Sequence, residues 1–450
     1  MSLAVVIMAA GMGTRMKSRI PKVLHPVLGK PMLRHIIDAV MVLDPVEIVT
    51  VVGHEADQVE AVFKDEVSFA IQSPQLGTGH AVQQTQSRLA GKADTIFVVP
   101  GDLPLMSAET LRRMVKTFEL SGGPVVMLSV ERQDPLGFGR VVRDAQGLVT
   151  AIVEEVDCTP EQKAIRELNV GTYVFEGDWL WQSLENIPLS PKGEYYVTDL
   201  IGIAVEQGKP VRAELLADPV EALGINNRVH LAEVEAALRQ KVNEKWMEAG
   251  VTMVDPLTTY VDLEAMIGPD TTIYPNTYIL GKTTIGQECI IGPNSLIENS
   301  TVGDRCVVRF SVIEQAIIED DVDVGPFGHL RKGAHLAAGV HMGNFGEVKN
   351  SYLGPGTKMG HFSYLGDITT GKNVNIGAGA ITCNYDGVKK NPTTVGDNAF
   401  IGSDTMLVAP VNVGKNAKTG AGSVVTRDVP DNSLAYGVPA RVKKSGDEQE

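Results

Sequence analysis

Residues Ile267 to Leu296 read IGPDTT IYPNTY ILGKTT IGQECI IGPNSL, five consecutive six-residue units in which an aliphatic residue opens each unit and Gly, Asn or Asp recurs behind it. The pattern returns in VGPFGH (Val324–His329), LRKGAH, LAAGVH, LGPGTK, MGHFSY (Met359–Tyr364), IGAGAI (Ile376–Ile381), IGSDTM, VGKNAK and TGAGSV (Thr419–Val424). A sustained hexapeptide period is the signature of a β-helix. The aliphatic side chain points into a narrow interior, and Gly, Asn and Asp turn the corners, where positive φ costs them little. Three units make one triangular coil, so residues eighteen apart stack on one face wherever no loop interrupts. Arg331 with Lys349, and Ser403 with Ala421, are such pairs. His329, His335 and His341 are six apart and fall on three different sides of a coil, so one chain cannot gather them around a metal ion.

Upstream of the repeats, Leu231, Val234, Leu238, Val242 and Trp246 recur among charges before Gly250, the pattern of one amphipathic helix. Earlier still, short apolar runs (Ala4–Ala9, Glu47–Gly53, Thr95–Val99) alternate with helical patterns (Met32–Val42, Glu109–Glu119). That alternation predicts a mostly parallel sheet covered by helices, with ligands beyond the carboxyl ends of the strands. The expected division is an α/β domain over residues 1–229, a helical linker over 230–250 and a β-helix over 251–450. The charged stretch from Lys443 to Glu450 is expected to be disordered.

A length of 450 residues fits more than one core. The formal net charge of -15 argues against a general nucleic-acid binder, which needs a surplus of Lys and Arg. Cys158, Cys289, Cys306 and Cys383 are dispersed and suggest neither a disulfide framework nor a zinc ribbon; a reducing cytoplasm is expected. The apolar stretch Met1–Gly11 lacks a basic leader and runs into a glycine loop, so it reads as a buried strand and not a signal peptide. No stretch is apolar enough to span a membrane.

The loop AAGMGTRM (Ala9–Met16) follows the first strand, and PKVLH follows it in turn. Its glycines let backbone N–H groups approach phosphate oxygens, and Arg15 and Lys22 add positive charge. Gln72 and LGTGHA place polar groups where a nucleobase could be read, and Asp102 closes a strand where a cation neutralising phosphate would sit. In the repeats, Arg331 and Lys349 form a basic pair suited to a sugar phosphate, followed by His361, Tyr364 and the segment VNIGAGAITCNYDG. Imidazole titrates near neutrality, so His361 is a candidate general base for an amine nucleophile. Cys383 has no base beside it in sequence and reads as a small core thiol.

The ordered set AAGMGTRM, PKVLH, QLGTGHA, PGD, GFGR, NVGTYVF, GEYYVTD and INNR resembles the sugar-nucleotide pyrophosphorylases. Joined to the hexapeptide half, the whole chain resembles the bifunctional N-acetylglucosamine-1-phosphate uridyltransferase/glucosamine-1-phosphate acetyltransferase family. The resemblance implies an α/β Rossmann-like nucleotidyltransferase domain plus a left-handed parallel β-helix, and two reactions. Acetyl transfer from acetyl-CoA to glucosamine-1-phosphate comes first. Uridylyl transfer from UTP to N-acetylglucosamine-1-phosphate follows, with release of pyrophosphate. It also implies that Met8, Ala9, Ala10, Gly11, Lys22, Gln72, Gly77 and Thr78 hold the nucleotide, and that Arg15 and Lys22 stabilise its phosphates. Gly139, Glu154, Asn169 and Asn226 would contact the sugar, and Asp102 with Asn226 would hold Mg²⁺. For the second site it makes His361 the proton acceptor and places glucosamine-1-phosphate on Arg331, Lys349, Tyr364 and Asn375. Acetyl-CoA falls to Ala378, Asn384, Tyr385, Ser403 and Ala421, with Arg441 as the candidate near YGVPARV, which does not align cleanly. The family forms homotrimers through the β-helix, with shared acetyltransferase sites; nucleic acid and membrane are not expected partners. Met12 departs from the Lys common in the first loop, and His329 and Lys332 depart from Arg and Pro beside Arg331. The competing reading keeps only the uridyltransferase and makes the β-helix a noncatalytic trimerising module.

Overall fold

The computed structural model describes residues 2–135 and 137–444. It divides into two compact units, Met1–Leu238 and Arg239–Glu450. The first unit is built on β1 (Leu3–Met8), β2 (Glu47–Val52), β3 (Ser68–Ile71), β4 (Thr95–Pro100), β5 (Val125–Glu131), β6 (Arg140–Arg143), β7 (Val149–Val153), β8 (Glu167–Glu176) and β9 (Val211–Leu215). The main sheet runs β9-β5-β8-β4-β1-β2-β3, with β6 and β7 paired beside β8. Pairs β1/β2, β1/β4, β2/β3 and β9/β5 are parallel, whereas β8 runs antiparallel to both neighbours. Strands β1 and β4 read as near-continuous apolar runs because both faces are covered. One face packs Ile36, Ile37 and Val40 of α1 (Met32–Met41) and Leu111 and Met114 of α2 (Ala108–Ser121) against Val5, Ile7, Phe97 and Val99. The other packs Val6, Val98 and Tyr173 against Trp179, Leu180 and Leu200. Ser107 caps α2 by accepting the Thr110 N–H at 3.2 Å, and Gly122 ends the helix at φ 64°.

The helix expected near residues 231–249 is α3 (Arg228–Glu248), and the boundary between the units falls inside it. Its first half shows why: Val234 is buried with Met16, Val27, Met32, Leu105 and Ile225, and Leu231 and Leu238 pack against the same cluster.

The second unit is a three-sided parallel β-helix. Its first face runs from the strand Thr252–Met253 to Ala440–Lys444, its second from Thr259–Val261 to Val424–Val425, and its third from Met266–Ile267 to Val411–Val413. Ile267, Ile273, Ile279, Ile285, Ile291 and Ile297, six apart, are all buried, as the repeat requires. The eighteen-residue coil is an average and not a rule. Partners lie sixteen apart at Val307/Asp323, seventeen at Lys358/Asn375 and eighteen at Phe400/Lys418. Between Asn375 and Phe400 the spacing is twenty-five, because a loop around residues 384–392 leaves the coil. Lys443 and Lys444, expected in the disordered tail, belong to the last strand, which pairs antiparallel with Ser433–Gly437. The rest of that tail, from residue 445, and Met1 at the start of the first apolar stretch lie outside the described residues.

Candidate functional sites

A cavity of about 730 Å³ opens at the carboxyl ends of β1 and β4, and every residue expected in the N-terminal site lines it. Strand β1 delivers Met8 to its edge and the loop Ala9–Gly13 wraps one wall. Gln75 ties that wall to the next by donating from Nε2 to the Ala10 carbonyl. Gln72 is buried and donates to the Gly77 carbonyl at 2.9 Å. Gly77 sits at φ 98°, and a Cβ there would lie 2.5 Å from the Tyr195 carbonyl oxygen, so the turn admits no side chain. Thr78 accepts the Val197 N–H at 3.0 Å, which brings the GEYYVTD segment to the same rim.

Lys22 and Asp102 form a 2.6 Å ion pair inside the cavity, and Arg15 donates to the Asn226 side-chain oxygen at 2.9 Å. The Ile225 N–H donates to the Asp102 carbonyl at 3.0 Å, so Asp102 and Asn226 are held on adjacent segments. One carboxylate and one amide oxygen form an all-oxygen donor set that fits Mg²⁺, which takes its other ligands from phosphate and water. Among the described residues no cluster of three His, Cys, Asp or Glu side chains is placed to hold a metal. At the other end of the cavity, burial holds the Glu154 carboxyl above the usual range, opposed by the Thr198 hydroxyl that donates to it at 3.1 Å. Tyr173, Tyr196 and Thr198 also line the cavity, although the sequence reading singled out only the segments that carry them.

In the β-helix, Arg331 and Lys349 stack on the second face as their spacing requires, since Leu330 pairs with Val348. Tyr364 lies on the same face one coil further on, paired with Glu347. Burial and geometry there turn on Gly366, a residue the sequence reading missed: a Cβ on it would lie 2.6 Å from Asn384 Nδ2 and closer still to the Tyr364 hydroxyl. Asn384 is held by Asp367 at 2.5 Å. The Arg331 guanidinium, and then the Lys390 ammonium, hold Lys349 below the usual lysine range, so three cations converge at this end of the face. Lys390 lies in the loop where the repeat breaks off, which is why periodicity could not reach it. Arg331 is also paired with Glu347 at 2.8 Å.

His361 is exposed at the corner between the first and second faces. The hydrogen bonds Gly379 N–H to Phe362 O, Asp404 N–H to Ala378 O and Gly422 N–H to Ser403 O stack successive coils at this corner. They put His361, Ala378, Ser403 and Ala421 in one column. Tyr385 is exposed in the loop after the second-face strand. Arg441 pairs with Tyr436, which lies against Gly420 beside Ala421. Asn375 does not join the basic face: it belongs to the first face, between Lys358 and Phe400. Cys383 is not a core thiol either. Thr382 points inward, Cys383 is half-buried on the outer side, and burial pushes its thiol up, away from the thiolate. His329, His335 and His341 lie on the second, third and first faces and each meets its own carboxylate, Glu314, Glu319 and Asp323.

Residues 5–166 match the MobA-like NTP transferase domain, residues 264–299 the bacterial transferase hexapeptide, and residues 392–427 the hexapeptide repeat of succinyl-transferase. The chain is 48% identical to the "Bifunctional protein GlmU" of Exiguobacterium sibiricum, covering 96% of each chain. The chain belongs to the GlmU family. It is also 47% identical to the protein of that name from another Exiguobacterium, over 98% of both chains, and 46% identical to that of Enterococcus faecalis, over 98% of this chain and 96% of the other. Membership bears out the family that the ordered motifs resemble. It also bears out the fold class: an α/β nucleotidyltransferase unit joined to a left-handed parallel β-helix.

Proposed function

We propose that the chain makes UDP-N-acetylglucosamine in two steps, acetylating glucosamine-1-phosphate on the β-helix and uridylylating the product in the N-terminal cavity. The observation that carries the second step is the single cavity that unites the glycine loop, the Lys22/Asp102 pair and the Glu154/Asn169 end. UTP lies along Met8–Gly11, Gln72, Gly77 and Thr78, with Arg15 and Lys22 on its phosphates. The sugar lies against Gly139, Glu154 and Asn169. The sugar-phosphate oxygen attacks the α-phosphorus in line, and pyrophosphate leaves on the opposite side; positioning and fixed charge supply most of the acceleration. Asp102 and Asn226 would hold Mg²⁺, which supplies further neutralisation of phosphate charge.

On the β-helix, Arg331, Lys349 and Tyr364 hold glucosamine-1-phosphate. His361 accepts the proton from its neutral amine as the nitrogen attacks the thioester carbonyl, and that proton passes to the departing sulfur so that coenzyme A leaves as the thiol. The pantetheine runs up the corner column of Ala378, Ser403 and Ala421, with Asn384, Tyr385 and Arg441 beside it. The separation of Asn375 from the basic face supports a site shared between neighbouring chains of a homotrimer. The exposed Phe327 and Phe345, stacked at 5.1 Å below the His361 corner with Phe362 above them, offer apolar surface for that contact. Acetyl-CoA and UTP as co-substrates, with four free cysteines, support action in the cytoplasm.

The test supplies purified protein with glucosamine-1-phosphate, acetyl-CoA, UTP and Mg²⁺ and follows free thiol and pyrophosphate separately. Release of both is expected, with pyrophosphate dependent on acetyl-CoA unless N-acetylglucosamine-1-phosphate is supplied. Pyrophosphate without thiol would leave the β-helix noncatalytic.

A further inference from the structure

Asn169 and Tyr173 are four residues apart on β8, a separation of roughly 13 Å along a regular strand. Here the Asn169 Nδ2 donates to the Tyr173 hydroxyl oxygen at 2.7 Å. The chain achieves this with a bulge. Pairing of β8 with β5 slips between Asn169 and Tyr173, and Gly171 sits between them at φ 82°. The Gly171 N–H donates to Asn169 Oδ1 at 3.2 Å, and because an N–H only donates, this contact decides which end of the amide is oxygen. The nitrogen end is then held by Tyr173, whose ring is fully buried and stacked on Phe175 at 5.5 Å. Of the two Nδ2 hydrogens one is taken, and the other is left for an oxygen in the cavity that both residues line.

We propose that Tyr173 is a positioning residue of the sugar subsite: its buried hydroxyl anchors the Asn169 amide so that Asn169 meets the substrate as an N–H donor to a hexose oxygen. The inference rests on the proposed reading of this cavity as the uridylyl-transfer site. Tyr173 touches no reacting atom and acts through Asn169 alone. Without the hydroxyl the Nδ2 group loses its fixed partner, and the side chain can rotate away from the bulge.

Tyr173→Phe keeps the ring and the aromatic stack. In the full-length protein, with UTP, N-acetylglucosamine-1-phosphate and Mg²⁺, the variant is expected to raise the KM for the sugar phosphate by about five- to ten-fold, the size of one lost hydrogen bond. The KM for UTP and acetyl transfer should stay as in the unmodified protein, and the thermal midpoint should fall by no more than a few degrees. In an Asn169→Ala background the same substitution should change nothing further, because its effect passes through that amide. An unchanged sugar-phosphate KM, a parallel rise for UTP, or an additive effect in the Asn169→Ala background would overturn the inference. If the unmodified protein releases no pyrophosphate in the same assay, the reading of the cavity itself fails and the inference falls with it.

Discussion

Gly366→Ala separates the two activities with one methyl group. The added Cβ would stand 2.6 Å from Asn384 Nδ2 and nearer to the Tyr364 hydroxyl. To restore ordinary contact at 3.4 Å, Asn384 must retreat by about 0.8 Å and Tyr364 by somewhat more. Asn384 cannot move freely, because Asp367 holds it at 2.5 Å. Gly366 has no positive φ, so the substitution strains contacts and not backbone. A displacement near 1 Å at substrate-holding groups costs ~10²-fold in rate, or ~2.7 kcal/mol of barrier. The measurement is thiol release from acetyl-CoA with glucosamine-1-phosphate, beside pyrophosphate release from UTP with N-acetylglucosamine-1-phosphate on the same sample. Acetyl transfer should fall and uridylyl transfer should not. Two unchanged activities would refute the argument that Tyr364 and Asn384 must converge over this glycine.

Lys22→Ala removes the cation facing Asp102 and should lower uridylyl transfer by ~10²-fold while thiol release is unchanged. Lys349 is held low by Arg331 and Lys390; a bound phosphate dianion restores its proton, so binding should take up protons at alkaline pH and weaken as pH rises through the free lysine's pKa. Titration calorimetry of glucosamine-1-phosphate in buffers of different ionisation heat measures that uptake. Arg140 is buried and paired at 2.5 Å with Glu155, a third exposed, so Arg140→Met should cost about 2–3 kcal/mol in urea unfolding of the first unit, less than a fully buried pair. Replacing Glu155 by Gln in that variant should recover part of the loss.

The repeats announce the β-helix because a six-residue period has one geometrical reading. Arg331 and Lys349 could be placed together from their numbers alone, since the coil between them has its full length. Asn375 is joined to them only by the family resemblance, although it lies nearly two six-residue units beyond Tyr364 and the period alone puts it on another face. Lys390 escaped for the opposite reason: it sits in a loop that obeys no period. In the first unit the ordered glycine, Lys, Asp and Asn motifs located the cavity wall. The Asn169 to Tyr173 contact depends on a slipped register, which no residue count reveals.

The final hairpin has a consequence for solubility. A stack of parallel coils ends in unpaired backbone groups that can template another strand. Here Ala440–Lys444 folds back antiparallel on Ser433–Gly437 and occupies that edge on the first face. The returning strand carries Arg441 and Lys443, with the Lys443 ammonium 5.7 Å from the Tyr436 ring. Charge on an outermost strand repels a second one laid against it. On the first face the hairpin therefore leaves a charged strand outermost, which disfavours the pairing of a further strand with it.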